Sequence, residues 1–455
     1  MKYKNILAYP LSTIPLYFKF LEELYNRNYF EHANFLLLNE DELGKYRNDN
    51  SLPTYFSFEF IDPEKIKGIA KPTDLVRLEE QYGLPTLSLF ELMGHRSNVK
   101  TQKPEDNLIF WEDYLRKNDV DMIIMPFAAM INTLALVQVA KKQNIQVVYA
   151  HSIRAFGRAT LTNANLEGAI FDVWEDLNEK YQYYLENSLD ETQVNVQEEK
   201  INIVKAEKPR PIWFKDPPRK INKKRIVSFI KILNNPKSLI KKLHLEYNYN
   251  YLKFGVIELP KEEFFMFPLH YEPEVTLDLL APYFRDQLTL IKYIAQSLPV
   301  NHKLVVKEHP GMKGRRAPSF YKEVERIKNL VLLDLNYDSY KVLDAKNCKG
   351  LIVINSTVGF EAVLLEKPVI SLGRTYYAIP GVTTPLTDLI QLPEMLMKIE
   401  QLKPEKKNIL SFLQALDDCT FEGFIYPPTE IVTWVLEEKN VTAIANEFEK
   451  RFPSN

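Results

Sequence analysis

The sequence predicts an α/β fold in which parallel sheets are covered by helices. Between residues 303 and 373, short apolar runs alternate with segments long enough to form a helix. A similar succession of strand, helix and strand extends from residue 120 to residue 150. Such alternation is typical of βαβ units and of parallel sheets. With 455 residues, the chain is long enough for two or three domains.

The N-terminal half predicts a first α/β unit. A helix is indicated at residues 14–27, where Tyr17, Phe20 and Leu24 recur at helical spacing. Residues 53–72 contain three prolines and predict loops, whereas residues 151–186 predict a mainly helical segment. The other predicted elements are strands at 5–11, 33–38, 120–126 and 145–150, and helices at 74–82, 110–116 and 130–143.

The C-terminal half predicts a second α/β unit, which follows a basic connector. Between residues 205 and 242 there are 13 Lys or Arg residues against two acids, and prolines interrupt any long element. The later predicted elements are strands at 264–268, 304–306, 331–333, 351–354 and 368–373, and helices at 282–297, 386–402, 408–416 and 430–452. We therefore predict an N-terminal domain at 1–185, a connector at 186–260 with one or two basic helices, a second domain at 261–430 and a C-terminal helix at 431–455.

Composition and charge exclude several classes of protein. Hydrophobic residues make up 45% of the chain and charged residues 26%, as in globular proteins. The net charge of −2 gives no general attraction to nucleic acid, and the two cysteines are too few for a disulfide framework. No apolar run reaches the roughly 20 residues of a membrane span. We therefore expect a cytoplasmic protein without a nucleic-acid partner.

The basic segment 205–242 has two interpretations. It is either a solvated surface or a site that attracts anionic lipid headgroups or an anionic glycan. In the second case, the protein is expected to be peripheral at the inner face of the cytoplasmic membrane.

His309 and Pro310 follow the strand predicted at 304–306. Ligands of parallel sheets bind beyond the carboxyl ends of the strands. A histidine at such a place can donate to a phosphate, and the proline fixes the turn that aims it. A histidine that is satisfied by local backbone groups is the alternative interpretation.

Asn355, Ser356 and Thr357 occupy a predicted strand-to-helix junction. The free N–H groups and the dipole of a helix start bind anions, although a simple N-cap has the same sequence pattern. Gly359 permits close approach of backbone or ligand. Glu361 can accept hydrogen bonds from vicinal ribose hydroxyls, or it only provides a favourable charge near the start of the helix.

Two further groups of polar residues lie at predicted strand ends. His270, Glu272 and Glu274 follow the strand at 264–268 and form a candidate acid, base or nucleophile set, with an ordinary acidic loop as the alternative. The residues past the strand at 145–150 are candidates for ligand contacts, namely His151, Arg154 and Arg158.

Known metal and nucleotide motifs give little support. Asp119-Val120-Asp121 matches a metal-binding D-x-D pattern, but it precedes its strand instead of following it. We therefore expect no required metal. The chain also lacks a P-loop and the glycine pattern of dinucleotide-binding folds, so ATPase and NAD interpretations lose support.

Taken together, these residues resemble the capsule polysaccharide biosynthesis family, which includes bacterial transferases of the 2-keto sugar acid Kdo in β linkage. The similarity lies in four runs with the same order and spacing: PLHYEPE at 268–274, VKEHP at 306–310, NSTVGFEA at 355–362 and KPVI at 367–370. The resemblance is strong over residues 264–380, weaker over 74–175, and it fades in the basic connector.

The resemblance implies a GT-B type arrangement. Two Rossmann-like domains would enclose a cleft, and a C-terminal helix would pack back on the N-terminal domain. The implied donor is a CMP-activated sugar, either Kdo or a nonulosonic acid, and no cofactor is required. His309 and the helix start would bind the CMP phosphate, and Glu361 the ribose. The implied donor-nucleotide residues are Lys307, His309, Pro310, Asn355, Ser356, Thr357, Gly359 and Glu361.

The resemblance also implies the position of the reacting carboxylate. In the Kdo transferases, an acidic residue at about this distance before the His-Pro pair acts as a covalent nucleophile. Glu272 and Glu274 occupy that place here, with Glu274 the better candidate. The family typically carries Asp, and this departure bears on both the donor and the stereochemical outcome.

The implied function is a glycosyltransferase of capsule or lipopolysaccharide synthesis with an oligosaccharide or glycolipid acceptor. One alternative is a phosphotransferase that uses a CDP-activated polyol, because teichoic-acid polymerases show a similar His-Pro and Ser-rich pair. A second alternative is a non-catalytic nucleotide-binding component of a polysaccharide export assembly.

Overall fold

The computed structural model contains two compact α/β units. The first comprises residues 1–176, 212–214 and 416–455, and the second comprises residues 177–211 and 215–415. The structure describes residues 3–10, 13–47, 52–83, 103–128, 130–153, 155–163, 172–205, 236–251, 255–272, 274, 277–278, 281–425 and 433–453.

The described residues form thirteen strands. In chain order they are β1 (Tyr3–Ala8), β2 (Phe30–Leu37), β3 (Phe56–Phe60), β4 (Met122–Met125), β5 (Gln146–Ile153), β6 (Arg158–Asn163), β7 (Phe264–Pro268), β8 (Lys303–Lys307), β9 (Leu330–Leu333), β10 (Cys348–Val353), β11 (Val369–Ser371), β12 (Thr384–Pro385) and β13 (Phe421–Glu422).

The described α-helices accompany these strands. In chain order they are α1 (Ile14–Asn26), α2 (Glu40–Arg47), α3 (Pro63–Ile66), α4 (Asp74–Tyr82), α5 (Pro104–Lys117), α6 (Ile131–Lys142), α7 (Asp172–Asn187), α8 (Glu191–Lys205), α9 (Pro236–Tyr251), α10 (Gln287–Ser297), α11 (Pro318–Glu325), α12 (Ser339–Asp344), α13 (Thr357–Leu364), α14 (Leu392–Met397), α15 (Lys406–Cys419) and α16 (Glu438–Arg451). None of these helices is long and apolar enough to cross a membrane.

The first sheet has the order β13-β6-β5-β4-β1-β2-β3. The strands from β5 to β3 are parallel, whereas β6 and β13 run antiparallel to their neighbours. The parallel part therefore has the order of a Rossmann half, 3-2-1-4-5. On one face, α1 and α16 share a core in which Phe20 and Phe448 pack with ring centroids 6.3 Å apart.

Three strands of this sheet are absent from the sequence prediction, namely β3, β6 and the two-residue β13. β3 lies in the proline-containing stretch, where Phe56, Phe58 and Phe60 alternate along the strand. β6 replaces the start of the predicted helical segment 151–186. Phe156 and Gly157 adopt left-handed φ values of 51° and 67° before it, as a tight turn between antiparallel strands requires.

The second sheet has six parallel strands in the order β12-β11-β10-β7-β8-β9. Counted from β7, this is the order 3-2-1-4-5-6 of dinucleotide-binding folds. All five residues of β7 are buried, because helices cover both faces of a parallel sheet. The α/β class and the two Rossmann-like sheets are therefore confirmed, while the cleft between them stays a prediction.

The compact units differ from the predicted domain boundaries at residues 185, 260 and 430. Residues 191–205, predicted as part of the connector, form α8 within the second unit, where Gln197 Nε2 donates to Gln414 Oε1 at 3.0 Å. Lys205 also forms an ion pair with Glu366 at 2.9 Å. Residues 206–235, the larger part of the basic segment, lie outside the described residues.

Candidate functional site

The strand order of the second sheet reverses between β7 and β10. β7 ends at Pro268 and β10 ends at Val353. β8 and β9, which follow β7, are added on one side of it, whereas β10, β11 and β12 are added on the other side. Ligands of doubly wound sheets bind in the crevice at such a switch point. The Asn355 backbone N–H donates to His270 Nε2 at 3.1 Å. A direct hydrogen bond therefore joins the two strand ends at the switch point.

That hydrogen bond determines which nitrogen of His270 carries the proton. Because Nε2 accepts from the Asn355 N–H, we assign the ring proton to Nδ1. Nδ1 lies 3.3 Å from Glu274 Oε2, so the imidazole donates to this carboxylate. His270 is only 4% exposed, and its backbone N–H donates to Gln287 Oε1 at 2.8 Å. Both ring nitrogens therefore have a hydrogen-bond partner, and the Nδ1–H group orients Glu274.

Glu272 has different partners from Glu274. Its carboxylate forms an ion pair with Arg316 at 2.9 Å and accepts a hydrogen bond from Gln287 Nε2. Its backbone N–H donates to the Met312 sulfur at 3.3 Å. Glu272 is therefore part of a network that connects the ends of β7 and β8.

Arg316 is the centre of this network. It is 6% exposed, and its Nε donates to Glu308 Oε2 at 2.7 Å. Its Nη2 donates to the His270 carbonyl at 2.9 Å. Burial by itself lowers the pKa of the guanidinium, but the Glu308 and Glu272 carboxylates raise it overall. Tyr321, whose pKa is raised by burial and by Glu308, donates its hydroxyl to Glu308 Oε2 at 2.7 Å.

His309 lies just past β8 and is held by its own turn. The Gly311 N–H donates to His309 Nδ1 at 3.0 Å, so we assign the proton of the neutral ring to Nε2. Pro310 begins the short 3-10 helix that contains Gly311. A Cβ on Gly311 would lie 3.1 Å from His309 Nδ1 and 3.2 Å from Tyr271 Cδ2, which favours glycine there. His309 thus presents an N–H donor from Nε2.

The start of α13 is a capped helix terminus. Ser356 accepts from the Val358 N–H at 3.4 Å, and Thr357 is the first helical residue. The Tyr377 hydroxyl donates to the Ser356 carbonyl. A Cβ on Gly359 would lie 2.5 Å from the Tyr377 hydroxyl oxygen, so the close approach at this glycine is made by a tyrosine ring. The capping interpretation therefore applies to Ser356, and an anion site at the same terminus stays a prediction.

Two other predicted donor-site residues are buried. Lys307 is 7% exposed, and its ammonium donates to the Leu335 carbonyl at 3.4 Å. Glu361 is 6% exposed. Burial raises the pKa of the Tyr377 phenol, and the negative charge of Glu361 adds to this effect. Contact of Lys307 or Glu361 with a nucleotide stays a prediction.

The candidates in the first unit lie elsewhere than predicted. His151 lies within β5 and not beyond it, because that strand continues to Ile153. Burial lowers the pKa of His151 to about 4, so its ring is neutral at pH 7. Arg158 begins β6, where it donates to Thr420 Oγ1 at 2.5 Å and pairs with Asp417 at 3.4 Å. Arg154 lies outside the described residues.

The D-x-D pattern has a structural role. Asp121 Oδ2 accepts from the backbone N–H groups of Lys4 at 2.6 Å and Asn5 at 2.9 Å. Asp119 forms an ion pair with the Lys4 ammonium at 2.9 Å. The two aspartates therefore join the start of β1 to the segment before β4. Among the described residues, no group of three His, Cys, Asp or Glu side chains is arranged to hold a metal ion.

Sequence patterns missed the residues that support this site. Arg316, Glu308, Gln287 and Tyr321 are buried or nearly buried partners of the candidate residues. A charged pair eight residues apart on a loop resembles an ordinary surface ion pair in the sequence. The available signal was Glu308 itself, a carboxylate between a buried strand and the His-Pro pair.

Comparison with known proteins gives a family match for residues 253–399. These residues match the family model "capsule polysaccharide biosynthesis protein". The matched region contains the candidate residues His270, His309, Glu272 and Glu274 and the start of α13. It contains none of the first-unit candidates.

The chain spans less than half of the length of the relatives that it matches. The capsule polysaccharide modification protein LipB of Neisseria meningitidis serogroup A is 30% identical over 129 residues, which cover 27% of this chain and 30% of LipB. Protein FixF of Sinorhizobium fredii is 27% identical over 194 residues, which cover 41% of this chain and 45% of FixF.

The structure was also compared with solved structures. KpsC of Thermosulfurimonas dismutans, described as a β-Kdo 2,7 transferase, is 14% identical with a TM-score of 0.37, covering 66% of this chain and 78% of that one. The match at residues 253–399 covers about a third of the chain and includes the motifs at the switch point. In this region, the chain is similar to capsule polysaccharide biosynthesis proteins.

Proposed function

We propose that this protein is a glycosyltransferase of capsule or lipopolysaccharide synthesis that transfers a 2-keto sugar acid from a CMP-activated donor to a glycan acceptor. The observation that supports this most is the His270–Asn355 hydrogen bond at the switch point. It places an oriented carboxylate, Glu274, beside two strand ends that suit a phosphate. The description of the family as capsule biosynthesis proteins and the LipB name agree with this proposal.

In this proposal the leaving group is bound by His309 and the start of α13. The Nε2–H of His309 donates to the CMP phosphate, and the N–H groups of the helix terminus stabilise its negative charge. Glu361 and Lys307 are proposed ribose and phosphate contacts that require their buried side chains to face the ligand. Because these N–H groups can offset the charge of the leaving phosphate, the reaction is proposed to proceed without a metal, and unchanged turnover in EDTA tests this.

Glu274 is the carboxylate that we assign to the chemistry. As a nucleophile, it bonds to the anomeric carbon while the C–O bond to CMP breaks and the phosphate keeps the electron pair. The acceptor hydroxyl then bonds to the anomeric carbon, the bond to Glu274 breaks with its electron pair on the carboxylate, and the hydroxyl proton passes to water. As a base, Glu274 instead takes the proton of the attacking hydroxyl, and the configuration inverts. His270 is a positioning residue in both cases, because it is buried and both ring nitrogens are engaged.

Binding experiments test the donor site. His309→Ala should weaken CMP binding in calorimetry by roughly tenfold or more, because one hydrogen bond to a charged group is lost. Cytidine, which lacks the phosphate, should bind equally to both proteins. His302→Ala is a matched control, since His302 precedes the same strand at its amino end and pairs with Glu263 at 3.2 Å. If wild type binds no CMP, the proposed donor is wrong.

Activity measurements separate the two carboxylates. Glu274→Gln should abolish sugar transfer while leaving CMP affinity within about twofold, whereas Glu272→Gln should mainly lower stability, because Arg316 loses a partner. Mass spectrometry with CMP-Kdo, CMP-sialic acid and CDP-glycerol identifies the donor, and a covalent adduct on Glu274 identifies the nucleophilic route. Transfer from CDP-glycerol alone would favour the polyol-phosphate alternative. CMP binding without any donor turnover would favour the non-catalytic one.

We also propose peripheral contact with an anionic membrane. The exposed side of α9 carries Ile240, Leu243 and Tyr247, which are 67%, 61% and 71% exposed and lie on one helical face. Another side of α9 contacts the loop after β8 in the same unit, where Asn248 Nδ2 donates to the Gly314 carbonyl at 3.1 Å. An apolar stripe in a basic sequence context is typical of helices that lie in a membrane interface.

Liposome sedimentation tests this contact. Wild type should bind vesicles of phosphatidylglycerol and not of phosphatidylcholine, and salt should weaken the binding. Replacing Ile240, Leu243 and Tyr247 by serine should reduce it at least tenfold. Ile257→Ser is a matched control, since Ile257 is 74% exposed but lies outside α9. Equal binding to both lipids would contradict an electrostatic cause.

A further inference from the structure

Two adjacent arginines on the loop after β8 have opposite surroundings. Arg316 is buried and is neutralised by two glutamates. Arg315 is exposed, and no carboxylate of the described residues lies within ion-pair distance of it. Its guanidinium lies 5.4 Å from the centre of the Tyr271 ring, and Nη1 donates to the Tyr271 hydroxyl. An aromatic ring orients the guanidinium before a ligand binds, and it does not neutralise the positive charge as a carboxylate would.

The Arg315–Tyr271 pair is continuous with His309. The rings of Tyr271 and His309 meet edge to face, with centroids 6.0 Å apart and an interplanar angle of 73°. Gly311 lies between them, close enough that a Cβ would touch both rings. The segments after β7 and β8 therefore bring the Tyr271 phenol, the His309 imidazole and the Arg315 guanidinium next to one another. Tyr271 itself follows His270, so this group begins at the switch point.

Carboxylates at the switch point would repel an anionic donor, and a nearby cation can offset this repulsion. Glu272 and Glu308 both pair with Arg316, so two carboxylates share the charge of this one arginine. A donor that carries a phosphodiester would meet an excess of negative charge there. Arg315 is the neighbouring exposed cation that can offset this repulsion.

We propose that Arg315 is an oxyanion-binding residue of the donor site, which contacts the phosphate or the sugar carboxylate of the donor. This inference rests on the proposed function and deepens it, because it assigns recognition of an anionic donor to a residue outside the His-Pro and Ser-Thr motifs. A planar guanidinium binds either oxyanion through two parallel N–H groups. Tyr271 supports Arg315 and is a positioning residue.

Calorimetry with three ligands tests this assignment. Arg315→Gln should weaken binding of CMP and CMP-sialic acid by roughly ten- to hundredfold, as expected for lost hydrogen bonds to a charged group, and should leave cytidine unchanged. Arg315→Lys should retain part of the affinity, because it keeps the charge but not the fork. Tyr271→Phe should cause a smaller loss, because it keeps the ring and removes the hydroxyl. Arg326→Gln is the matched control, since Arg326 is exposed at the other end of α11.

The pattern across ligands separates the outcomes. A loss confined to CMP-sialic acid assigns Arg315 to the carboxylate, and an equal loss for CMP assigns it to the phosphate. Either supports the inference. Unchanged binding of both nucleotides by Arg315→Gln, with His309→Ala still impaired, overturns the inference and leaves the proposed function standing. A matching loss of cytidine binding also overturns it, because the effect is then structural. If wild type binds neither CMP nor CMP-sialic acid, the proposed function itself fails.

Discussion

Replacing Arg316 by methionine should destabilise the second unit by about 3 kcal/mol. Arg316 is 6% exposed and reaches Glu308 at 2.7 Å and Glu272 at 2.9 Å. Glu272 can turn toward water, but Glu308 is 1% exposed and would remain as a buried carboxylate without its cation. Breaking a buried ion pair from one side costs about 3–5 kcal/mol. The hydroxyl of Tyr321 and the His309 N–H still donate to Glu308, so we expect the lower end of this range.

A double-mutant cycle measures whether the charge pair causes this loss. Urea unfolding followed by far-UV circular dichroism is compared for wild type, Arg316→Met, Glu308→Gln and the double variant. The double variant carries no unpaired charge at Glu308, so it should recover about 2 kcal/mol relative to the sum of the single losses. Arg316→Lys should fall between wild type and Arg316→Met, because lysine cannot reproduce the forked contacts. A loss below about 0.5 kcal/mol for Arg316→Met, or strict additivity, would refute the reasoning.

Three further predictions concern packing and pH. Gly359→Ala should cost about 1–3 kcal/mol, because its Cβ would lie 2.5 Å from the Tyr377 hydroxyl oxygen; Tyr377→Phe should return part of that loss in urea unfolding, and no recovery would contradict the clash. Gly44→Ala, at a helical glycine with nothing within 4 Å of its Cβ, should be neutral or stabilise by up to about 1 kcal/mol. His151 has its pKa lowered to about 4, so the unfolded state takes up the proton first. Stability should therefore fall by about 3 kcal/mol as the pH drops from about 6.5 to 4, and His151→Asn should flatten that slope in tryptophan fluorescence.

Much of the fold could be predicted because parallel sheets leave a strong pattern in the sequence. The strands predicted at 264–268, 304–306, 331–333 and 351–354 correspond to β7, β8, β9 and β10, with ends that differ by at most three residues. These strands are buried on both faces, so they appear as continuous apolar runs. β3 is absent from the prediction because prolines lie on both sides of it, and β6 is absent because the apolar spacing of residues 151–186 resembles that of a helix.

Side-chain partners were less predictable than strands. Arg158 was predicted to contact a ligand, yet it holds β6 to residues 417–420 through Thr420 and Asp417. The partner lies 262 residues away in the chain, so no local pattern could show it. The same reason explains why Arg315 and Arg316, identical neighbours in the sequence, differ so widely in burial and charge compensation.

The candidate site depends on the strand order and not on any single motif. Each motif by itself is also compatible with a purely structural role. For Ser356 and Gly359, the observed contacts are those of a structural role. What distinguishes this site is that His270 and Asn355, 85 residues apart, hydrogen-bond across the switch point. Only a sheet with β7 and β10 as neighbours brings them together. A variant such as His270→Leu, which keeps the volume but cannot accept from Asn355, should therefore impair Glu274-dependent transfer more than CMP binding.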